Sequence, residues 1–228
     1  MPKIVKNTTM PGLLDLIAPH SCRGCGHIGN VICNRCKNNM LKTHNNRCPI
    51  CKQPNKNGIC SKCKLPPAYN LGIRTGSLDV LIHELKYNSV RSAAAPLAEL
   101  LDHSLPAFKS RTYIVPLPTI ARHIRSRSLD HTSLIAKHLA KRRPNFCVSK
   151  LLLRSNNSIQ VGSDAKTRIK QAKTAYSLNP KIKIDQTATY ILFDDVWTTG
   201  ASMQAAIDIL KKADIKNINI ATLAVSTI

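Results

Sequence analysis

The chain has 228 residues, 43% of them hydrophobic, which is enough apolar material for a core and excludes disorder as a class. No run approaches the ~18–20 apolar residues of a membrane span, and Met1 to Lys6 lack an apolar signal region, so a cytoplasmic chain without membrane insertion is expected. Thirty-four Lys and Arg against 12 Asp and Glu give +22, concentrated as +10 over residues 1–66 and +15 over residues 109–183, a positive surface that draws phosphate-bearing partners.

Residues 12–18, Gly-Leu-Leu-Asp-Leu-Ile-Ala, form a short amphipathic turn before Pro19, suited to packing on the rest of the chain or on a partner. Nine cysteines follow, eight of them in four Cys-x-x-Cys pairs: Cys22/Cys25, Cys33/Cys36, Cys48/Cys51 and Cys60/Cys63. A two-residue gap turns both sulfurs of a knuckle toward one ion, and two knuckles complete a tetrahedral thiolate site that suits Zn²⁺. Two structural zinc ions are therefore expected in a double ribbon. Sequential pairing closes shorter loops and is preferred; interleaved pairing, first with third and second with fourth, stays open. Four thiolates per ion leave no position for substrate, and His20, His27 and His44 read as surface residues. Cys147, between Phe146 and Val148, reads as a buried core thiol.

Pro66-Pro67 marks a boundary between a ribbon domain, 1–66, and a second domain, 67–228. Strand patterns over Tyr69–Arg74, Tyr113–Pro116, Phe146–Leu153, Thr189–Phe193 and Asn217–Val225 alternate with helical patterns. The helices fall over Leu78–Tyr87, Ala93–His103, 119–143 and Ala201–Ala213. This alternation predicts an α/β fold with a parallel, doubly wound sheet. Residues 154–187 are polar and basic without clear periodicity, as in a long functional loop.

The stretch from Tyr190 to Ser202 carries the chemistry. An apolar strand ends in Asp194-Asp195, and a turn of Thr198, Thr199 and Gly200 then opens a helix at Ala201-Ser202. Ligands of open α/β sheets bind at this edge. Backbone N–H groups and the helix dipole suit a phosphate. The aspartates repel phosphate and suit sugar hydroxyls or Mg²⁺ instead. A sugar 5-phosphate satisfies both halves.

This pattern resembles the phosphoribosyl-diphosphate (PRPP) motif of type I phosphoribosyltransferases. His83-Glu84-Leu85-Lys86-Tyr87 resembles a lysine–aromatic segment of such proteins, and Ile114 to Pro118 the strand entering a pyrophosphate loop. Arg125, Arg127, Ser128, Leu129, Asp130 and His131 resemble an R-x-R-G-F-N-Q helix. Gln160 and Arg168 fall where a glutamine and an arginine recur before the motif. With the double ribbon, the order resembles the competence protein F (ComF/GntX) family over nearly the whole chain. The resemblance implies a type I phosphoribosyltransferase-like domain that binds PRPP with Mg²⁺. Asp194, Asp195 and Arg168 would be catalytic, and Thr198, Thr199, Gly200, Ala201 and Ser202 would cradle the 5-phosphate. Pro118 and Thr119 would line the pyrophosphate loop, and Lys86, Arg122, Arg125, Arg127 and Arg168 would meet pyrophosphate or nucleic acid. It further implies natural transformation, with incoming single-stranded DNA and other DNA-uptake proteins as partners. The alternative is an active transferase with an unidentified acceptor. Ser128 and Asp130-His131 depart from the pattern, and Thr198 replaces the carboxylate of purine-type relatives. For stacking on bases, Trp197, Tyr69, Tyr87 and Tyr176 are the available aromatics.

Overall fold

The computed structural model describes residues 20–42, 46–88, 90–119, 130–154 and 175–226. Its centre is a five-stranded, all-parallel sheet. In chain order the elements are α1 (Asn34–Lys42), β1 (Ala68–Tyr69), α2 (Gly76–Tyr87), a 3₁₀ turn (Arg91–Ala93), α3 (Ala94–Ser104), β2 (Thr112–Pro116) and α4 (His131–Ala140). After these come β3 (Phe146–Val148), β4 (Leu152–Arg154), β5 (Tyr176–Leu178), β6 (Thr189–Trp197), α5 (Ala201–Lys212) and β7 (Ile218–Val225). The sheet order is β1-β7-β6-β2-β3, and β4 pairs antiparallel with β5 in a separate hairpin.

Strand β6 lies near the middle of the sheet because its residues are apolar on both faces. Ile191 and Phe193 join the helices α2, α3 and α4 in one core cluster. Tyr190 and Leu192 face the other way and join Ala206, Ile207 and Leu210 of α5 in a second. Both faces of the sheet are thus covered by helices. Among the described residues, no helix is long and apolar enough to cross a membrane.

The ribbon shares the core of the α/β fold. Cys22, Val31 and Ile32 are buried in the same cluster as Leu81, Leu97 and Phe193. Among the described residues two ion pairs cross the junction, Arg23–Glu84 at 3.4 Å and Lys37–Glu99 at 2.7 Å. At the second ribbon, Asn70 donates from its side chain to the Arg47 carbonyl at 2.7 Å and accepts from the Arg47 N–H at 3.3 Å. Gly58 adopts φ +77, and its carbonyl accepts from the Ala68 N–H at 2.8 Å. A Cβ there would lie 2.8 Å from the Tyr69 ring and 3.1 Å from the Ala68 nitrogen. Gly58→Ala is therefore expected to lower stability by about 1–3 kcal/mol, read as a urea midpoint, through a left-handed φ and a displaced tyrosine together.

Several expectations differ from the structure in detail. The strand pattern over Tyr69–Arg74 is a strand only at Ala68–Tyr69, because the chain turns at Gly72, with φ +118, and meets β7 again only at the Ile73–Val225 bridge. The loop expected over 154–187 contains β5, which pairs with β4. The apolar run 146–153 is two strands, because Ser149 donates its N–H to the Ile114 carbonyl at 2.9 Å and the chain then leaves the sheet for the hairpin. Over 119–143 the described helix is α4 alone, since residues 120–129 lie outside the described residues. Cys147 is half-buried, not buried, because β3 is an edge strand and Arg111 approaches its sulfur at 3.9 Å.

Candidate functional site

The eight knuckle cysteines form two groups, Cys22, Cys25, Cys33 and Cys36, then Cys48, Cys51, Cys60 and Cys63; within each group all sulfurs lie within 4.8 Å of one another. Pairing is sequential. Zn–S bonds of ~2.3 Å at tetrahedral corners place sulfurs roughly 3.8 Å apart. Cys25 and Cys33 stand at 3.7 Å and Cys51 and Cys60 at 3.6 Å, so both groups fit a zinc ion. Backbone N–H groups of Gly24 and Cys33 point at the Cys22 sulfur at 3.4 and 3.3 Å. Burial raises the Cys22 thiol, but these N–H groups outweigh it and bring the thiol down to about 6, favouring the thiolate a metal needs. Among the described residues no histidine joins either group: His27 is exposed and His20 sits 3.2 Å from the Ser92 hydroxyl, while His44 lies outside the described residues.

The second site lies at the C-terminal ends of β2 and β6. Leu117 donates its N–H to the Phe193 carbonyl at 2.8 Å, which brings Pro118 and Thr119 to the same sheet edge as Asp194 and Asp195. Beyond β6 the chain turns at Gly200, with φ +78, and enters α5. A Cβ on Gly200 would lie 2.4 Å from the Trp197 indole ring, so the turn closes directly over a buried tryptophan and requires glycine. No side chain caps the start of α5. The Ala201 N–H has only a long contact, 3.4 Å, to the Thr199 hydroxyl. A cavity of about 50 Å³ opens here, lined by Asp194, Thr198, Thr199, Gly200, Ser202 and Thr222 among others. Uncapped helical N–H groups beside threonine and serine hydroxyls attract a small anion.

The two aspartates take different roles. Both oxygens of Asp195 are engaged inside the protein. Its Oδ2 meets Lys86 Nζ and His131 Nε2, each at 2.6 Å, and its Oδ1 accepts from the Val196 N–H at 2.6 Å. These contacts cross-link β6 to the last turn of α2 and the first turn of α4. His131 is held there because Asp130 caps α4, accepting from the Ser133 N–H at 3.1 Å. Burial pushes the Asp195 carboxyl up, but the His131 hydrogen bond and the Lys86 charge outweigh it and bring it down to about 2. Asp194 is half-buried and lines the cavity, with its Oδ1 accepting from the Asp195 N–H at 2.9 Å. Burial first, and then the Asp195 charge, push it up to about 8.

The structure thus brings Asp194, Thr198, Thr199, Gly200, Ala201 and Ser202 around one cavity. Asp195 sits just behind it, turned away, and Lys86 points inward onto Asp195. Arg122, Arg125, Arg127, Gln160 and Arg168 lie outside the described residues. Of the aromatics considered for base stacking, Trp197, Tyr69 and Tyr176 are buried and Tyr87 is exposed. Sequence reasoning missed His131 as the partner of Asp195. It also missed Arg154 and its pairing with Tyr176, the Arg154 guanidinium donating to the Pro118 carbonyl at 3.2 Å and to the Tyr176 hydroxyl at 3.3 Å. Only the β4–β5 pairing reveals those two, and each strand has just three residues.

No family model matches the chain, and no curated protein matches it.

Proposed function

We propose that the chain is a competence protein F-like protein with an α/β domain of the type I phosphoribosyltransferase kind. It binds PRPP and supports natural transformation in the cytoplasm by handling incoming single-stranded DNA. The observation that carries the reading is the anion cup after β6: an uncapped helix N-terminus, a left-handed glycine and hydroxyl side chains beside the Asp194 carboxyl. A 5-phosphate suits the Thr198–Ser202 turn, while the ribose hydroxyls suit Asp194. Mg²⁺ accompanying the diphosphate would be held through Asp194, whose carboxyl would release its proton on taking the cation. Asp195, clasped by Lys86, supports this site by position and not by contact. The DNA role draws on the charge of +22 and on exposed cations of the ribbon, Arg35, Lys42, Lys56, Lys62 and Lys64.

A second reading, an active phosphoribosyltransferase, is favoured by Asp194, a carboxyl raised to about 8 that can exchange a proton near neutral pH. Pyrophosphate release in the presence of a defined acceptor separates it from the first.

Two titrations test the proposal. PRPP with Mg²⁺ is expected to bind saturably in a calorimeter, and Asp194→Asn should change that affinity. Single-stranded DNA should bind at low salt and weaken with a log–log slope of roughly −0.7 per phosphate contacted. Failure of PRPP to bind removes the cup from the proposal, and failure of DNA to bind at low salt removes the transformation role.

A further inference from the structure

A cavity of about 550 Å³, far larger than the one at the cup, lies at the joint between the two ribbons and the α/β core. Gly24 and the metal ligand Cys36 bound it from the first ribbon and Arg47 from the second. Met40 of α1, Leu71 and Ile73 after β1, Leu78 of α2 and Leu100 of α3 give it aliphatic walls. Leu78 belongs to the main core, and Met40 and Leu71 pack against that core, so the cavity opens core surface to water. Asn39, Thr75 and Ser77 supply its other polar side chains. Apart from Cys36, Arg47 is the one charged side chain among the described residues that line it. Arg47 is half-buried, and its Nη1 donates to the Lys52 carbonyl at 3.0 Å instead of to a carboxylate.

The complementary surface is present in the same chain. Residues 12–18, Gly-Leu-Leu-Asp-Leu-Ile-Ala, lie outside the described residues. They supply four aliphatic side chains, Leu13, Leu14, Leu16 and Ile17, together with Asp15, the one acidic residue among the first 66. Chain length permits the contact. The first described residue is His20, whose ring sits 3.2 Å from the Ser92 hydroxyl just ahead of α3. Leu100 follows eight positions later, roughly 12 Å along a helix that rises ~1.5 Å per residue. Residues 13 to 20 span up to roughly 23 Å when extended. We propose that residues 12–18 dock into this cavity, with Leu13, Leu14, Leu16 and Ile17 against its aliphatic walls and Asp15 beside Arg47. The segment is then a latch that fastens the first zinc group to α2 and α3, whatever the anion cup binds.

The chain's four methionines make the test direct, because a ¹³C-methyl label gives one signal for each. Met40 lines this cavity, and Met203 lines the cup, where it reports the fold. On the full, zinc-loaded chain, Leu16→Asp with Ile17→Asp should shift the Met40 methyl and leave Met203 in place. Leu16→Ala with Ile17→Ala, which adds no charge, should move Met40 the same way by less. A synthetic peptide of residues 10–19, added to the aspartate variant, should return Met40 toward its wild-type position at about millimolar concentration, the effective concentration of a tethered segment. The same peptide carrying Asp15→Lys meets Arg47 with like charge and should bind about 2- to 5-fold more weakly. A Met40 signal unmoved by both double variants overturns the proposal, and a shift on adding 1-anilinonaphthalene-8-sulfonate would then make the cavity a small-molecule site. Movement of Met203 together with Met40 in both variants shows a global effect and overturns the latch as a local contact. A wild-type Met40 signal that moves on dilution makes the occupant a second copy and overturns it as well. Equal affinity of the two peptides overturns the contact between Asp15 and Arg47.

Discussion

A chain stripped of metal by a strong chelator, or carrying Cys22→Ser, is expected to lose the packing of α2 and α3 together with the ribbon. The first four-cysteine group is joined to the main core: Cys22 is 3% exposed, and Val31 and Ile32, 5% and 2% exposed, pack with Leu81 and Leu97. Arg23–Glu84 and Lys37–Glu99 tie the same segment to α2 and α3. Structural zinc contributes on the order of 10–16 kcal/mol to small peptide modules at neutral pH. That matches or exceeds the ~5–15 kcal/mol by which a domain is stable at all. Loss of one ion at this junction therefore acts on the whole fold. Far-UV circular dichroism and a thermal melt with and without chelator should show lost helix and a lowered midpoint. Cys48→Ser should be milder, since its ribbon meets the rest through Asn46, Asn70 and the short strand β1, at the edge of the sheet. Cys147→Ser, half-buried on the opposite edge, should leave the melt close to wild type. Retention of a wild-type melt by a demonstrably zinc-free chain would refute the shared core.

How much of this was legible in the sequence depends on the range over which each signal acts. Knuckle spacing is local: two sulfurs three positions apart meet one ion in any compact turn, and the eight ligands were readable without a fold. The pairing of knuckles is less local, and loop-closure entropy favoured the arrangement found. Strand β6 was readable because Tyr190 to Phe193 are apolar on both faces. The anion cup followed from Gly200 and the hydroxyl residues beside it. What the sequence withheld is long-range. His131 and Asp195 are 64 positions apart and Arg154 and Tyr176 are 22 apart. Nothing in either local stretch announces the other. The adjacent aspartates read as a pair because consecutive residues share a chemistry, yet consecutive strand residues face opposite ways. That alternation sends Asp195 to Lys86 and His131 and leaves Asp194 at the cup. The second face of the ribbon was hidden similarly, since Val31 and Ile32 look like filler between knuckles until the α/β core is laid against them.

The divided aspartates lead to a second large effect. Lys86→Met should destabilise the protein by about 3–5 kcal/mol, because it leaves a buried carboxylate short of its cation. Replacing both partners, Lys86→Met with Asp195→Leu, should recover much of that loss, and the difference from additivity measures the coupling. The pH dependence separates the two carboxyls. Asp195 titrates at about 2, below the ~3.9 of an unfolded aspartate. Its contribution is present above about pH 4 and is lost as pH falls through about 2. Asp194 titrates at about 8, so the folded chain keeps a proton that the unfolded chain releases near pH 4. Between about pH 4 and about 8, stability should therefore fall as pH rises, and above that it should fall no further on this account. Asp194→Asn should remove this slope and be more stable than wild type at pH 8, while Asp195→Asn should be less stable at neutral pH and lose the acid-side contribution. Urea midpoints from pH 2 to 9, compared between variants at each pH so that acid release of zinc cancels, give the answer. If the two substitutions shift the curve alike, the aspartates are equivalent, and the picture of one anchoring carboxylate and one proton-bearing acid at the cup is wrong. If they diverge as described, the cup holds its acid in the raised state that proton exchange near neutral pH requires, at a standing cost to the fold that an asparagine would remove.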